Sequence, residues 1–146
     1  PLLDLTDENW QAGMDMVLMS VARLTRMAVP AMRASDAAGT ITCISGAASR
    51  EVMNEFPVST VMRSGLTAFV RMAARQWAPD VRINSVLPGF VDSYEVSPEF
   101  MATIPAGRSA TTDEIASLVS FLSSGESSYV TGESICIDGG MTKAIR

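Results

Sequence analysis

Three short apolar segments, separated by stretches of helical length, constrain this chain more than any other feature. They are residues 40–45, 81–87 and 132–137, and turn formers bound each of them: Gly39 and Gly46, Pro79-Asp80 and Pro88-Gly89, Gly132 and Asp138-Gly139-Gly140. Runs of this kind read as strands covered on both faces. Residues 57–78 place Val58, Val61, Met62, Leu66, Phe69, Val70, Ala73 and Trp77 at helical spacing, and Ile115, Leu118, Val119 and Leu122 form a narrower stripe. Strands joined by helical connections pair in parallel through right-handed crossovers, so the class is α/β. Three strands are few for such a sheet, and 40–45 has the apolar character of an interior strand. The strand 81–87 runs into Pro88-Gly89 and then Phe90-Val91-Asp92-Ser93. That bend lies where open α/β sheets hold their ligands.

The flanking segments fill in the rest. Thr6 or Asp7 caps a helix over residues 8–33, with Met14, Val17, Leu18, Val21, Leu24 and Ala28 on one stripe. Met16, Met19 and Met27 widen its apolar surface, which predicts packing against more than the sheet. Pro30 falls in the last turns and Gly39 marks the stop. Residues 97–108 read as a mobile loop with a short helix, and Thr112-Asp113-Glu114 caps a third long helix.

Composition excludes several functions. At 146 residues the chain is at most one domain. A net charge of −5 with scattered arginines argues against nucleic acid. No apolar run reaches the roughly 20 residues of a membrane span, and the N-terminus does not read as a signal peptide. The chain has no histidine, which removes Ser-His-Asp, Cys-His and His-based metal chemistry. Cys43 and Cys136 sit apart in strand-like segments, so no disulfide framework and no structural zinc are expected. A reducing cytoplasm is the expected compartment.

From Trp10 onward the chain resembles the C-terminal half of the short-chain dehydrogenase/reductase family. The resemblance rests on I-N-S-V-L-P-G-F-V-D-S from Ile83, G-R-S-A-T-T-D-E-I-A from Gly107, F-L-S-S from Phe121 and Y-V-T-G-E-S-I-C-I-D-G-G from Tyr129. It implies a Rossmann-like doubly wound parallel sheet, of which residues 1–146 supply the C-terminal part. The usual reaction is hydride transfer between NAD or NADP and an alcohol or carbonyl. The glycine-rich turn that cradles the cofactor pyrophosphate is missing from these residues.

Aligned through its neighbours, the family's catalytic asparagine falls on Val17, the serine on Gly46, the tyrosine on Ser59 and the lysine on Arg63. Divergent members of the family carry Ser and Arg at the last two positions. A phenol titrates near ~10 and a nearby cation brings it lower. A serine hydroxyl is a far weaker acid with a shorter reach, so Ser59 can hold a substrate oxygen but is a poor proton donor without a water relay. Arg63 keeps the positive charge and can fork onto ribose hydroxyls, yet it cannot surrender a proton. Ser45, next to Gly46, reaches the serine's role if the register shifts by one. Pro88, Gly89, Val91 and Ser93 match the positions around the nicotinamide.

Plainer readings stand beside these. Ser59 and Arg63 also read as a helix-start hydroxyl and a surface cation, and 88–93 as a turn after a strand. Asn84 is structural, and Asp113-Glu114 is a helix-start feature. The resemblance further implies a homodimer or homotetramer built on helices 8–33 and 57–78, as a four-helix bundle. Three functions compete. They are an NAD(P)-dependent oxidoreductase, a non-catalytic binding or assembly protein, and carbon–halogen cleavage, whose family members keep the tyrosine that this chain lacks.

Overall fold

The computed structural model describes residues 1–144. The chain enters through α1 (Asp7–Gly13), a π-helical turn (Met14–Met19) and α2 (Ser20–Arg33), which follow one another without a break. Then come β1 (Gly39–Ile44), α3 (Pro57–Trp77), β2 (Val81–Pro88), a four-residue α4 (Pro98–Met101), α5 (Thr112–Ser123) and β3 (Ser134–Ile137). The three strands are all parallel, in the order β1-β2-β3.

Alternation along the strands explains the layers, because neighbouring side chains leave opposite faces. Ile41, Cys43 and Ile83 meet Leu66, Val70, Ala73 and Ala74 of α3, together with Val17, Leu18 and Val21. The other face belongs to α5, where Val86, Ile135 and Ile137 meet Ile115, Leu118 and Leu122. Helices on both faces make the sheet doubly wound, as the resemblance implies. β2 is the central strand, and Val81, Ile83, Val86 and Leu87 are wholly buried. Its two buried polar residues are paired. Asn84 donates to the Val130 carbonyl at 2.9 Å and accepts from Glu133 N–H at 3.0 Å, while Ser85 and Ser134 hydroxyls meet at 2.7 Å. Asn84 is structural, as read.

Several boundaries move. The first helix ends at Arg33, and Gly39 opens β1 instead of stopping the helix. The last strand starts at Ser134, because Gly132 adopts φ 77° and forms the turn before it. The cap of α5 is Thr111, one residue earlier than read, and it forms a capping box with Glu114. Leu24 leaves the sheet-facing stripe and is 67% exposed, while Thr25 and Val29 point inward. β1 lies on an edge of the three-stranded sheet, although its composition resembles an interior strand. Gly13 is where α1 crosses α3, and a Cβ there would overlap Val58.

Candidate active site

An open cleft of about 730 Å³ lies beyond the C-terminal ends of β1 and β2. Parallel strands end there together, and helix α3 begins beside it. Ser45, Gly46, Ser59, Arg63, Pro88, Gly89, Val91 and Ser93 all line it. The topology thus gathers every residue that the sequence singled out for chemistry, except Val17. That residue sits in the π-helical turn and packs on the core, outside the cleft.

Ser59 and Arg63 lie one turn apart on α3, and Arg63 Nε donates to Ser59 Oγ at 2.9 Å. The hydroxyl oxygen is engaged as an acceptor, so its own proton is free to point elsewhere. Arg63 is no surface cation. It is half-buried, and burial lowers its pKa from the ordinary value. No carboxylate lies within ion-pair distance of it among the described residues. Gly46 lies against it: a Cβ there would meet Arg63 Cδ and Nε at 3.4 Å, an ordinary van der Waals contact. Its φ of 179° is extended backbone open to any residue, so the position does not demand a glycine for its conformation.

Ser45 is 8% exposed, and its Oγ is buried with no hydrogen-bond partner. Its backbone N–H donates to the Val86 carbonyl at 2.9 Å, fixing it at the end of β1. An unpaired hydroxyl at the lip of a cleft is costly unless a ligand completes it.

The opposite wall is main chain. Val91 and Ala110 form a parallel bridge, in which Ala110 N–H donates to the Phe90 carbonyl and Asp92 N–H to the Ala110 carbonyl, both at 2.9 Å. Bonding alternates along a strand, so the N–H and C=O of Val91 itself face the other way and take no partner among the described residues. One donor and one acceptor at the cleft wall match a primary carboxamide. Gly89 approaches Asp138 closely, where a Cβ would lie 3.0 Å from Asp138 Cα, and this seats the Pro88-Gly89 bend against the end of β3.

Residues that the sequence reading did not assign to the site supply the apolar body: Met53, Phe56, Phe90, Tyr94 and Met141. Phe100 of α4 bridges Phe56 and Phe90, with ring centroids 5.9 and 5.2 Å away. Nothing in the sequence marks Phe56 for the cleft: it is the N-cap residue of α3 and makes no side-chain cap hydrogen bond.

Comparison with known proteins decides the family. The model of the enoyl-(acyl carrier protein) reductase family, a branch of the short-chain dehydrogenases/reductases, matches residues 1–142. The chain belongs to the short-chain dehydrogenase/reductase family. It is 32% identical to senescence-associated protein 13 of Arabidopsis thaliana, over 97% of this chain and 56% of that protein. It is 31% identical to a 3-oxoacyl-acyl-carrier-protein reductase of Thermotoga maritima, over 96% of this chain and 60% of that one. Among solved structures it superposes with a TM-score of 0.89 on an NADPH-bound short-chain oxidoreductase of Pseudomonas aeruginosa with an atypical catalytic centre. That pair shares 27% identity over 98% of this chain and 61% of the other. A short-chain type dehydrogenase/reductase from Mycobacterium ulcerans gives 0.89 at 25% identity, over 97% and 55%. The chain thus spans little more than half the length of the relatives it matches. No helix among the described residues is long and apolar enough to cross a membrane.

Proposed function

We propose that this chain is the C-terminal part of an NAD(P)-dependent oxidoreductase that moves a hydride between an alcohol and a carbonyl, with the nucleotide-binding half on preceding residues. The observation that carries it is the hydroxyl–guanidinium pair Ser59–Arg63, facing the cleft from one side while the unpaired peptide groups of Val91 face it from the other.

A nicotinamide cofactor, when bound, would supply or accept the hydride. Val91 N–H and C=O would hold its carboxamide, with Ser93 beside them, and the Pro88-Gly89 bend would let the chain approach closely. Arg63 would add its guanidinium to the ribose hydroxyls or to the substrate. Ser59 donates its free proton as a hydrogen bond to the carbonyl oxygen, with Ser45 as a second hydroxyl donor. As negative charge develops on that oxygen during reduction, both bonds strengthen, and the nearby guanidinium stabilises the charge. Ser59 does not give up its proton; water delivers the proton that completes the alcohol.

The convergence of Ser45, Ser59 and Arg63 on one cleft supports this reading over a non-catalytic assembly protein. Wide apolar helix faces favour a homodimer or homotetramer. Met16, Leu24 and Met27 on the first helix and Val61 and Met72 on α3 are all more than half exposed. The test is cofactor binding to full-length protein, followed by calorimetry and by nicotinamide fluorescence. Micromolar binding of NADH or NADPH is expected; none at millimolar concentration defeats the proposal.

A further inference from the structure

We infer that Arg63 is an anion receptor, and that the site takes 2-oxo acids and their 2-hydroxy acid products, with an apolar substituent. This rests on the oxidoreductase reading and names the substrate class of that same site.

Charge distribution carries the inference first. The chain holds 16 acidic residues and a net charge of −5, yet Arg63 is the one charged side chain lining the cleft among the described residues. A half-buried guanidinium without a carboxylate partner favours any anion that can reach it. Its Nε is already committed to Ser59, which leaves the two terminal nitrogens to face a ligand. Those nitrogens form a fork suited to a carboxylate.

Spacing then selects among carboxylates. The Ser59 hydroxyl lies 2.9 Å from Nε, so the oxygen-binding donor sits beside the same guanidinium whose terminal nitrogens would take the anion. A 2-oxo acid carries its carboxylate and its keto oxygen on adjacent carbons and meets both groups at once. A 3-oxo acid sets them one carbon further apart. Ser45 Oγ, buried and unpaired, completes the keto oxygen's environment. Beyond these polar groups the walls are Met53, Phe56, Phe90 and Met141, which suit an aliphatic or aromatic substituent. In the forward step the carbonyl carbon takes a hydride from the reduced nicotinamide cofactor. The keto oxygen takes a proton from water, and the carboxylate stays on Arg63 unchanged.

The experiment titrates full-length protein, without cofactor, against 4-methyl-2-oxopentanoate and against its methyl ester. The acid is expected to bind at least tenfold more tightly than the ester. Arg63→Met should abolish that preference, while Arg63→Lys keeps part of it as a point charge, and circular dichroism of both variants checks folding. Equal binding of acid and ester, no binding of either, or a preference that survives Arg63→Met overturns the inference. So does an Arg63→Met variant that loses NADPH affinity while the wild type shows no preference, because the cation then serves the ribose alone. Acid preference without cofactor binding would instead sink the oxidoreductase reading and leave the anion receptor standing.

Discussion

A hydroxyl that accepts from a guanidinium works differently from a phenol beside an ammonium. Ser59 receives Arg63 Nε–H, which leaves its own proton free, so in the proposed reaction its contribution would be a hydrogen bond to developing charge. Ser59→Ala should therefore lower turnover about a hundredfold, in the range of a lost oxyanion donor, with cofactor affinity unchanged. Ser45→Ala should cost about tenfold, the rate equivalent of one neutral hydrogen bond. Steady-state kinetics beside calorimetric cofactor binding check both; an equal loss of cofactor affinity would place the serines at the nucleotide instead. Asn84 is different in kind, since it is wholly buried and ties β2 to the chain before β3. Asn84→Ala leaves a carbonyl and an N–H unpaired and should cost about 2 kcal/mol by urea unfolding. At this scale, the four-residue spacing of Ser59 and Arg63 was plain in the sequence. The burial of Arg63 was not, because it depends on the chain after β1, which the fold brings against the Arg63 side chain at Gly46.

Among the elements, α5 has the best-defined start. Thr111 Oγ1 accepts from Glu114 N–H, and the Glu114 carboxylate accepts from Thr111 N–H and from both terminal nitrogens of Arg108. Hydrogen bonding to Arg108, with the Thr111 backbone next, holds the Glu114 carboxyl at about 2 against an ordinary 4.5. A depressed carboxyl stabilises the fold fully above its unfolded value, and that contribution disappears as pH falls through the folded value. The melting temperature should therefore fall between about pH 5 and about pH 2, and fall less in Glu114→Gln; identical slopes would show that the cap is uncoupled from stability. Helix and strand identities were legible because apolar spacing changes from runs to three-and-four periods. The π-helical turn Met14–Met19 was not, since one extra residue per turn leaves no compositional mark. The inward stripe, continued by helical spacing to Leu24, passes instead to Thr25 and Val29.

For the whole molecule, the second apolar faces of the first helix and of α3 set the expectation. Met27 is 75% exposed and Met72 57%, and with Met16, Leu24 and Val61 they are the apolar side chains that the proposed dimer or tetramer would cover. Met27→Asp with Met72→Asp should shift the protein to monomer in analytical ultracentrifugation, without loss of helical signal; an unchanged sedimentation coefficient would move the interface elsewhere. The parallel sheet and the position of its ligand cleft followed from strand order and the bend after β2. The aromatic wall did not, because Phe56, Phe90 and Phe100 come from three separate segments that meet only in the folded chain. The cleft wall at Val91 has an evolutionary corollary. Its unpaired donor and acceptor belong to the peptide unit, so mutation at this codon would remodel the contour of the cleft and leave both groups in place. Proline is the exception, since it alone deletes the amide.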